Sequence, residues 1–380
     1  MSRLFPRLVS RWSISSILSI SSIVFIAGCT TTDPNRPTSL QTAQNPAWAA
    51  EATPEDMIVS VSPAGKTLRI AGSAGLILGT GADAVVNAKY RAPIHAALEG
   101  YKPAEVFAGI IEERLEAAMH KDIERVAPLG SIAGMHSRQD AVEARYNGLG
   151  KNGYDVLLDV VMTYGIYGAE GTLATKLDGK LVLLPDGKTL WDDVLIVTNE
   201  PVLANAKLGN PTKRGGYNVT SPDLTVDDEE VKRWTADGGA VLKERFEQAA
   251  QDATSALLCA LGLEENAAGL YALGELSMNR KDFKEAAGYL EKASQLDPDD
   301  LNIKNAYAVN LAHNNQVDQA IRVAKEITES NPDFGPAWFN LAWWYAVEKD
   351  DGGMAAPYYE KARNLGMPED KKIEKKIRKG

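Results

Sequence analysis

The chain changes its hydrophobic period several times, and each change predicts an element. A basic start with Arg3, Arg7 and Arg11 leads into an apolar, serine-spaced run from Ile14 to Ala27. From Thr30 to Pro54 the sequence TTTDPNRPTSLQTAQNPAWAAEATP shows no apolar period, so 29–54 reads as a flexible tether. Residues 55–262 then read as one α+β (or α/β) domain. Met57–Ser62 alternates and predicts a strand. Residues 72–98 predict a Gly/Ala-rich helix. Residues 103–121 predict a second, with Val106, Phe107, Ile110, Ile111, Leu115 and Met119 at helical spacing. A short strand is expected near 123–128 and a helix near 137–150, where Ser137 and Asp140 are spaced like a capping box. At Tyr154 the period drops to two. Strands are expected at 154–164, 172–184 and 189–198, the last two joined by a Pro185-Asp186-Gly187-Lys188 hairpin turn. A polar loop over 199–228 and a helix over 230–262 complete an antiparallel strand meander packed by helices.

Beyond 262 the sequence repeats. Asp297-Pro298 returns as Asn331-Pro332 at the 34-residue period of a helix–turn–helix repeat. In that register Leu270, Leu273, Gly274, Ala286, Leu290 and Ala293 occupy the small and apolar positions where two helices meet. The second unit aligns Tyr307, Ala308, Leu311, Ala320, Ala324 and Pro332, with Lys304 departing from the usual aromatic. The third aligns Trp338, Leu341, Ala342 and Tyr345, then, after a one-residue insertion near Asp350–Gly353, Ala355, Tyr359 and Ala362. The pattern over 266–367 resembles the tetratricopeptide repeat (TPR) family, which implies an all-α solenoid of three helix pairs after the first domain. Residues 368–380 read as a basic capping helix, since 371–380 carry six Lys or Arg against one Glu.

The N-terminal run ends in Ile26-Ala27-Gly28-Cys29, which resembles a bacterial lipobox. The resemblance implies a signal peptide at 1–28 and a mature N-terminus at an acylated Cys29, whose buried acyl chains, palmitate among them, anchor the protein to a membrane. Thr30 at the next position implies outer-membrane delivery, facing the periplasm. The strand meander and "LLPDGKTLWDD" (Leu183–Asp193) resemble curli-secretion lipoproteins and the lipoprotein activators of penicillin-binding proteins.

Composition narrows the chemistry. Of 380 residues, 44% are apolar and 24% charged, which excludes wholesale disorder and a multi-span membrane protein. The net charge of −10, deepened by removal of the leader, excludes nucleic acid as a partner. Two cysteines exclude a disulfide framework. His95, His120 and His136 share no metal-ligand spacing. The motifs His-Glu-x-x-His, Ser-x-x-Lys and Gly-x-Ser-x-Gly are absent. No catalytic residue, metal or cofactor is therefore expected, and the chain reads as a non-enzyme. Gly79-Thr-Gly81-Ala-Asp-Ala84 lacks the preceding strand of a dinucleotide site. It reads as helix packing, with Gly75 and Gly79 spaced for a close helix contact. Cys259, in an apolar stretch, is expected to be a buried thiol, and Asp155 and Asp159 to share a solvated strand face.

The TPR resemblance implies a groove on the concave face of the first helices. It maps to Tyr271, Glu275, Asn302, Asn305, Val309, His313, Phe339 and Trp343. These lack the basic clamp for a C-terminal carboxylate and imply an extended or helical segment held by amide hydrogen bonds and aromatic anchors. Trp343 and Trp344 are adjacent, so only one can face the groove. The function expected is a lipid-anchored periplasmic adaptor that binds another envelope protein in surface-structure assembly, secretion or cell-wall regulation. Two alternatives remain. One is an oligomeric, pore-type lipoprotein built by the first domain. The other is an envelope hydrolase whose site the sequence conceals. The two domains are expected to fold separately.

Overall fold

The computed structural model describes residues 38–52, 56–60, 81–128, 138–167, 172–198, 200–206, 208 and 228–379. The leader, Cys29, Gly75, Gly79, Ser137 and most of the 199–228 loop lie outside them.

Among the described residues one sheet holds β1 (Pro46–Ala52), β2 (Ile58–Ser60), β3 (Glu124–Arg125), β4 (Val156–Tyr167), β5 (Thr172–Leu183) and β6 (Lys188–Thr198). The order is β3-β1-β4-β5-β6, with β2 continuing along β4 beyond β1. The meander β4–β5–β6 is antiparallel, and β1 and β2 run parallel to β4. The β5–β6 turn closes as its sequence requires, with Gly187 at φ 66° beneath the Tyr146 ring. A Cβ on Gly179 would meet the Trp191 ring at 2.5 Å, so this glycine makes room for the tryptophan across the hairpin.

β1 corrects the tether. Pro46–Ala52 pairs along its whole length with β4, and Ala47 and Trp48 are fully buried. Just before it, α1 (Thr38–Thr42) buries Leu40. This segment lacks the β-branched residues that mark a strand, and its place is set by the neighbour it pairs with.

Alternation divides β4 between two faces. Val156, Leu158, Val160, Met162, Tyr164 and Ile166 enter the main core. That face is covered by α2 (Gly81–Ala97), α3 (Pro103–Met119) and α5 (Asp228–Ala260). Phe246 of α5 lies edge-on to Tyr101, Phe107 and Tyr164, with centroids 6.1, 6.4 and 5.0 Å away. α5 is not the single helix its period suggests. It breaks at Ala236–Gly239, where Asp237, Gly238 and Gly239 all take positive φ. Gly239 lies against the Ala97 carbonyl at the end of α2. On the other face α4 (Arg138–Lys151) covers Leu157, Val182 and Leu184 with Tyr146.

The C-terminal helices pair as α6 (Ala267–Asn279) with α7 (Phe283–Leu296), α8 (Leu301–His313) with α9 (Val317–Ser330), and α10 (Gly335–Trp343) with α11 (Gly352–Asn364). Side chains cap several of them: Asn266, Asp282, Asp300 and Asp351 each accept a backbone N–H at their helix start. Small residues let the helices approach, and a Cβ on Gly274 would meet Leu290 Cγ at 2.6 Å. Within the first two pairs the turn holds a left-handed residue, Lys281 and Asn315, at the repeat period. In the third it falls one residue late, at Asp350, because Trp344–Glu348 forms a π-helical turn. A π turn is how a helix absorbs one inserted residue. α12 (Lys371–Ile377) closes the array with Ile373 buried.

The boundary near 262–266 separates elements but not cores. Ala272, Leu273 and Leu276 of α6 belong to the same buried cluster as Phe107, Leu195 and Phe246. Arg280 Nη1 donates to Asp193 Oδ2 of β6 at 3.1 Å, and Nη2 completes a forked pair with Oδ1. The described residues fall within one compact unit.

Candidate functional site

The concave side of the repeats is built by α6, α8 and α10, and it is occupied. Residues 201–206, directly after β6, run into it. Asn305 of α8, fully buried, donates from Nδ2 to the Val202 carbonyl at 2.8 Å. Asn340 of α10, also fully buried, accepts the Ala204 N–H at 2.7 Å and donates to Asn305 Oδ1 at 2.8 Å. A longer contact of 3.4 Å runs from Asn340 Nδ2 to the Val202 carbonyl. The segment ends in a turn, with Ala206 N–H on the Leu203 carbonyl, and Asn205 Nδ2 reaches Asp370 Oδ2 at 2.9 Å. Asp370 is also the N-cap of α12, so the same carboxylate starts the closing helix and fixes the end of the segment.

Both asparagines address backbone groups. A carboxamide supplies a donor and an acceptor on one planar group, which lets it read a peptide unit as another peptide would. The side chains of the segment alternate. Leu203, 3% exposed, joins the cluster of Phe339, Ala342 and Ala346. Val202 and Ala204 pack against the cluster holding Val309 and Leu311. The hydrogen bonds between the groove and the segment are made by two carboxamides and one carboxylate, Asn305, Asn340 and Asp370.

The mapped residues therefore divide. Asn305, Val309 and Phe339 line the occupied groove but are fully buried, so they offer no open surface. Trp343 is half-buried beside it, with Lys372 Nζ 4.7 Å from its ring centroid, while Trp344 is in the core. Asn302 stays exposed at the start of α8. Glu275 is buried within α6 and accepts the Tyr271 hydroxyl at 2.7 Å; burial pushes its carboxyl up to about 8. His313 stacks on Phe283 with centroids 4.7 Å apart, and burial holds its imidazole below the usual histidine range. Glu275 is thus engaged within α6, and His313 packs α8 against α7.

The carboxylates and thiol of the first domain serve structure. Asp155 accepts the N–H groups of Gln44 and Asn45, and Asp159 pairs with Arg145 at 2.7 and 2.9 Å, so each acid is engaged with its own partners. The Cys259 thiol is 3% exposed and burial pushes it up. Among the described residues no three His, Cys, Asp or Glu side chains gather to hold a metal ion.

Asn340, Asp370 and the segment itself were not among the mapped residues. For Asn340 a signal existed: it is the lone polar residue within Ala337-Trp-Phe-Asn-Leu-Ala-Trp-Trp344, and a polar group in such a run must find a partner.

A tetratricopeptide-repeat family model matches residues 277–342. This span holds α8 and the greater part of α10, which carry Asn305 and Asn340, together with α7 and α9. No curated protein matches the chain. The matched repeats are a scaffold for protein–protein interaction.

Proposed function

We propose that this protein is a lipid-anchored adaptor of the bacterial envelope, held at the outer membrane through Cys29 and facing the periplasm. It works by binding another envelope protein rather than by catalysis, in surface-structure assembly, secretion or cell-wall regulation. The observation that carries the binding half is the pair Asn305 and Asn340, which hold a peptide backbone inside the repeat groove. A groove that reads backbone and one apolar anchor is suited to a short segment of a protein partner. The leader and the Ala27-Gly28-Cys29 sequence support the anchored half. Anchoring confines the groove to a thin layer at the membrane and raises its effective concentration toward envelope partners.

The experiment pairs two readouts in cells. Wild type should incorporate palmitate and sediment with membranes, and Cys29→Ser should do neither; unchanged labelling in that variant refutes the anchor. Crosslinking and mass spectrometry should recover an envelope protein with wild type and with a Tyr271→Ala, Asn302→Ala control. The same protein should be lost with Asn305→Ala, Asn340→Ala, once folding is verified. Equal recovery from all three refutes the groove as the working surface.

A further inference from the structure

We infer that Pro201–Asn205 is a resident ligand of the repeat groove, and that a partner protein engages by displacing it with a segment of the same chemistry. The inference rests on the adaptor reading and deepens it by naming what the partner must present. The resident segment shows what the site accepts. A carbonyl two residues before a backbone N–H is read by Asn305 and Asn340, a demand any sequence without proline at the residue that supplies the N–H can meet. Between them a leucine fills the apolar cluster of Phe339 and Ala342. Two residues beyond the leucine, a donor side chain reaches Asp370, a place Asn, Gln or Lys could fill. The partner segment is therefore of the form apolar-Leu-small-donor, uncharged at the anchor and needing no free carboxylate.

Displacement follows from how the segment is held. It follows β6, whose last residue is Thr198, closely in sequence, and Glu200 just before it accepts the Thr172 hydroxyl at 3.2 Å. It cannot leave far, so it competes at the high local concentration of a tethered ligand. A free segment then binds with an affinity reduced by the fraction of time the groove stands open. Weakening the tethered copy should raise that fraction without touching the groove.

The test is titration of a labelled synthetic peptide of residues 199–207 into the full chain. Wild type should bind it weakly. Leu203→Ser removes the anchor from the tethered copy alone and should tighten peptide binding by roughly tenfold to a hundredfold. Asn205→Ala, which removes only the bond to Asp370, is the milder second variant and should tighten it by a smaller factor. A peptide with serine in place of the leucine should not bind either variant. The inference is overturned if both variants are folded and neither binds more tightly than wild type, or if the serine peptide binds equally well. It is also overturned if wild type dimerises on concentration and Leu203→Ser does not, since the occupant is then a second copy. Should the peptide fail while envelope-protein recovery still depends on Asn305 and Asn340, the displacement falls and the adaptor reading stands.

Discussion

Replacing Glu275 by glutamine should stabilise the protein, and the gain should grow with pH. Glu275 is 6% exposed within α6 and accepts the Tyr271 hydroxyl at 2.7 Å. Burial moves its carboxyl from the ordinary 4.5 to about 8, with the Tyr271 bond pulling weakly the other way. An acid whose folded pKa lies above its unfolded value holds its proton more tightly in the native state. Its contribution is complete below pH 4.5, drains as pH rises toward 8, and levels off above that. At about 1.4 kcal/mol per unit, the loss between pH 5 and pH 8 is on the order of 3 kcal/mol. Glutamine keeps the shape and cannot ionise. Glu275→Gln should therefore match wild type near pH 5 and exceed it by about 3 kcal/mol at pH 8. Urea unfolding of both proteins from pH 5 to pH 9 is the assay. The difference between them cancels Glu200 and Asp252, whose carboxyls burial also raises, and His313. A difference that stays constant with pH refutes the reasoning.

Two further predictions concern how the parts are joined. A Cβ at Gly352 would lie on the Lys376 carbonyl, a backbone group that cannot turn aside, so Gly352→Ala should displace α12. The expected cost is about 1–3 kcal/mol, with amide exchange accelerated at 371–377; unchanged exchange there contradicts the docking. A chain ending at Gly262 loses Ala272, Leu273 and Leu276 from the main core and the Arg280–Asp193 pair. Two buried leucines alone are worth about 3–6 kcal/mol, a large part of typical domain stability. The truncated chain should lose its near-ultraviolet circular dichroism and its cooperative transition, and a sharp two-state transition would show that the sheet domain stands alone.

Elements whose cause is local were legible in the sequence. The meander could be read because alternation is written into 156–167, and the repeats because Gly274, Ala286, Ala308 and Ala320 recur where helix axes come close. Even the one-residue insertion was visible, although not the π turn it produces. Elements whose cause is distant were not legible. Pro46–Ala52 has a linker's composition and becomes a strand only by pairing with β4. Pro201–Asn205 has no period at all, and its position is decided by two asparagines more than a hundred residues away in sequence. The mapped groove residues lie on α6, α8 and α10, but a sequence cannot show that a groove is already filled. The break in α5 had its warning in Gly238-Gly239, which the helical period on either side concealed.

Crosslinking from Pro201–Asn205 tests most directly whether the groove is filled by the chain's own segment. A diazirine amino acid placed at position 203 of the purified full chain should, on irradiation, join to residues around Phe339, Ala342 and Ala346. Excess peptide of residues 199–207 should lower the yield of that product. Crosslinks confined to the sheet domain would show that Leu203 does not enter the repeats, and both the resident ligand and its displacement would fall.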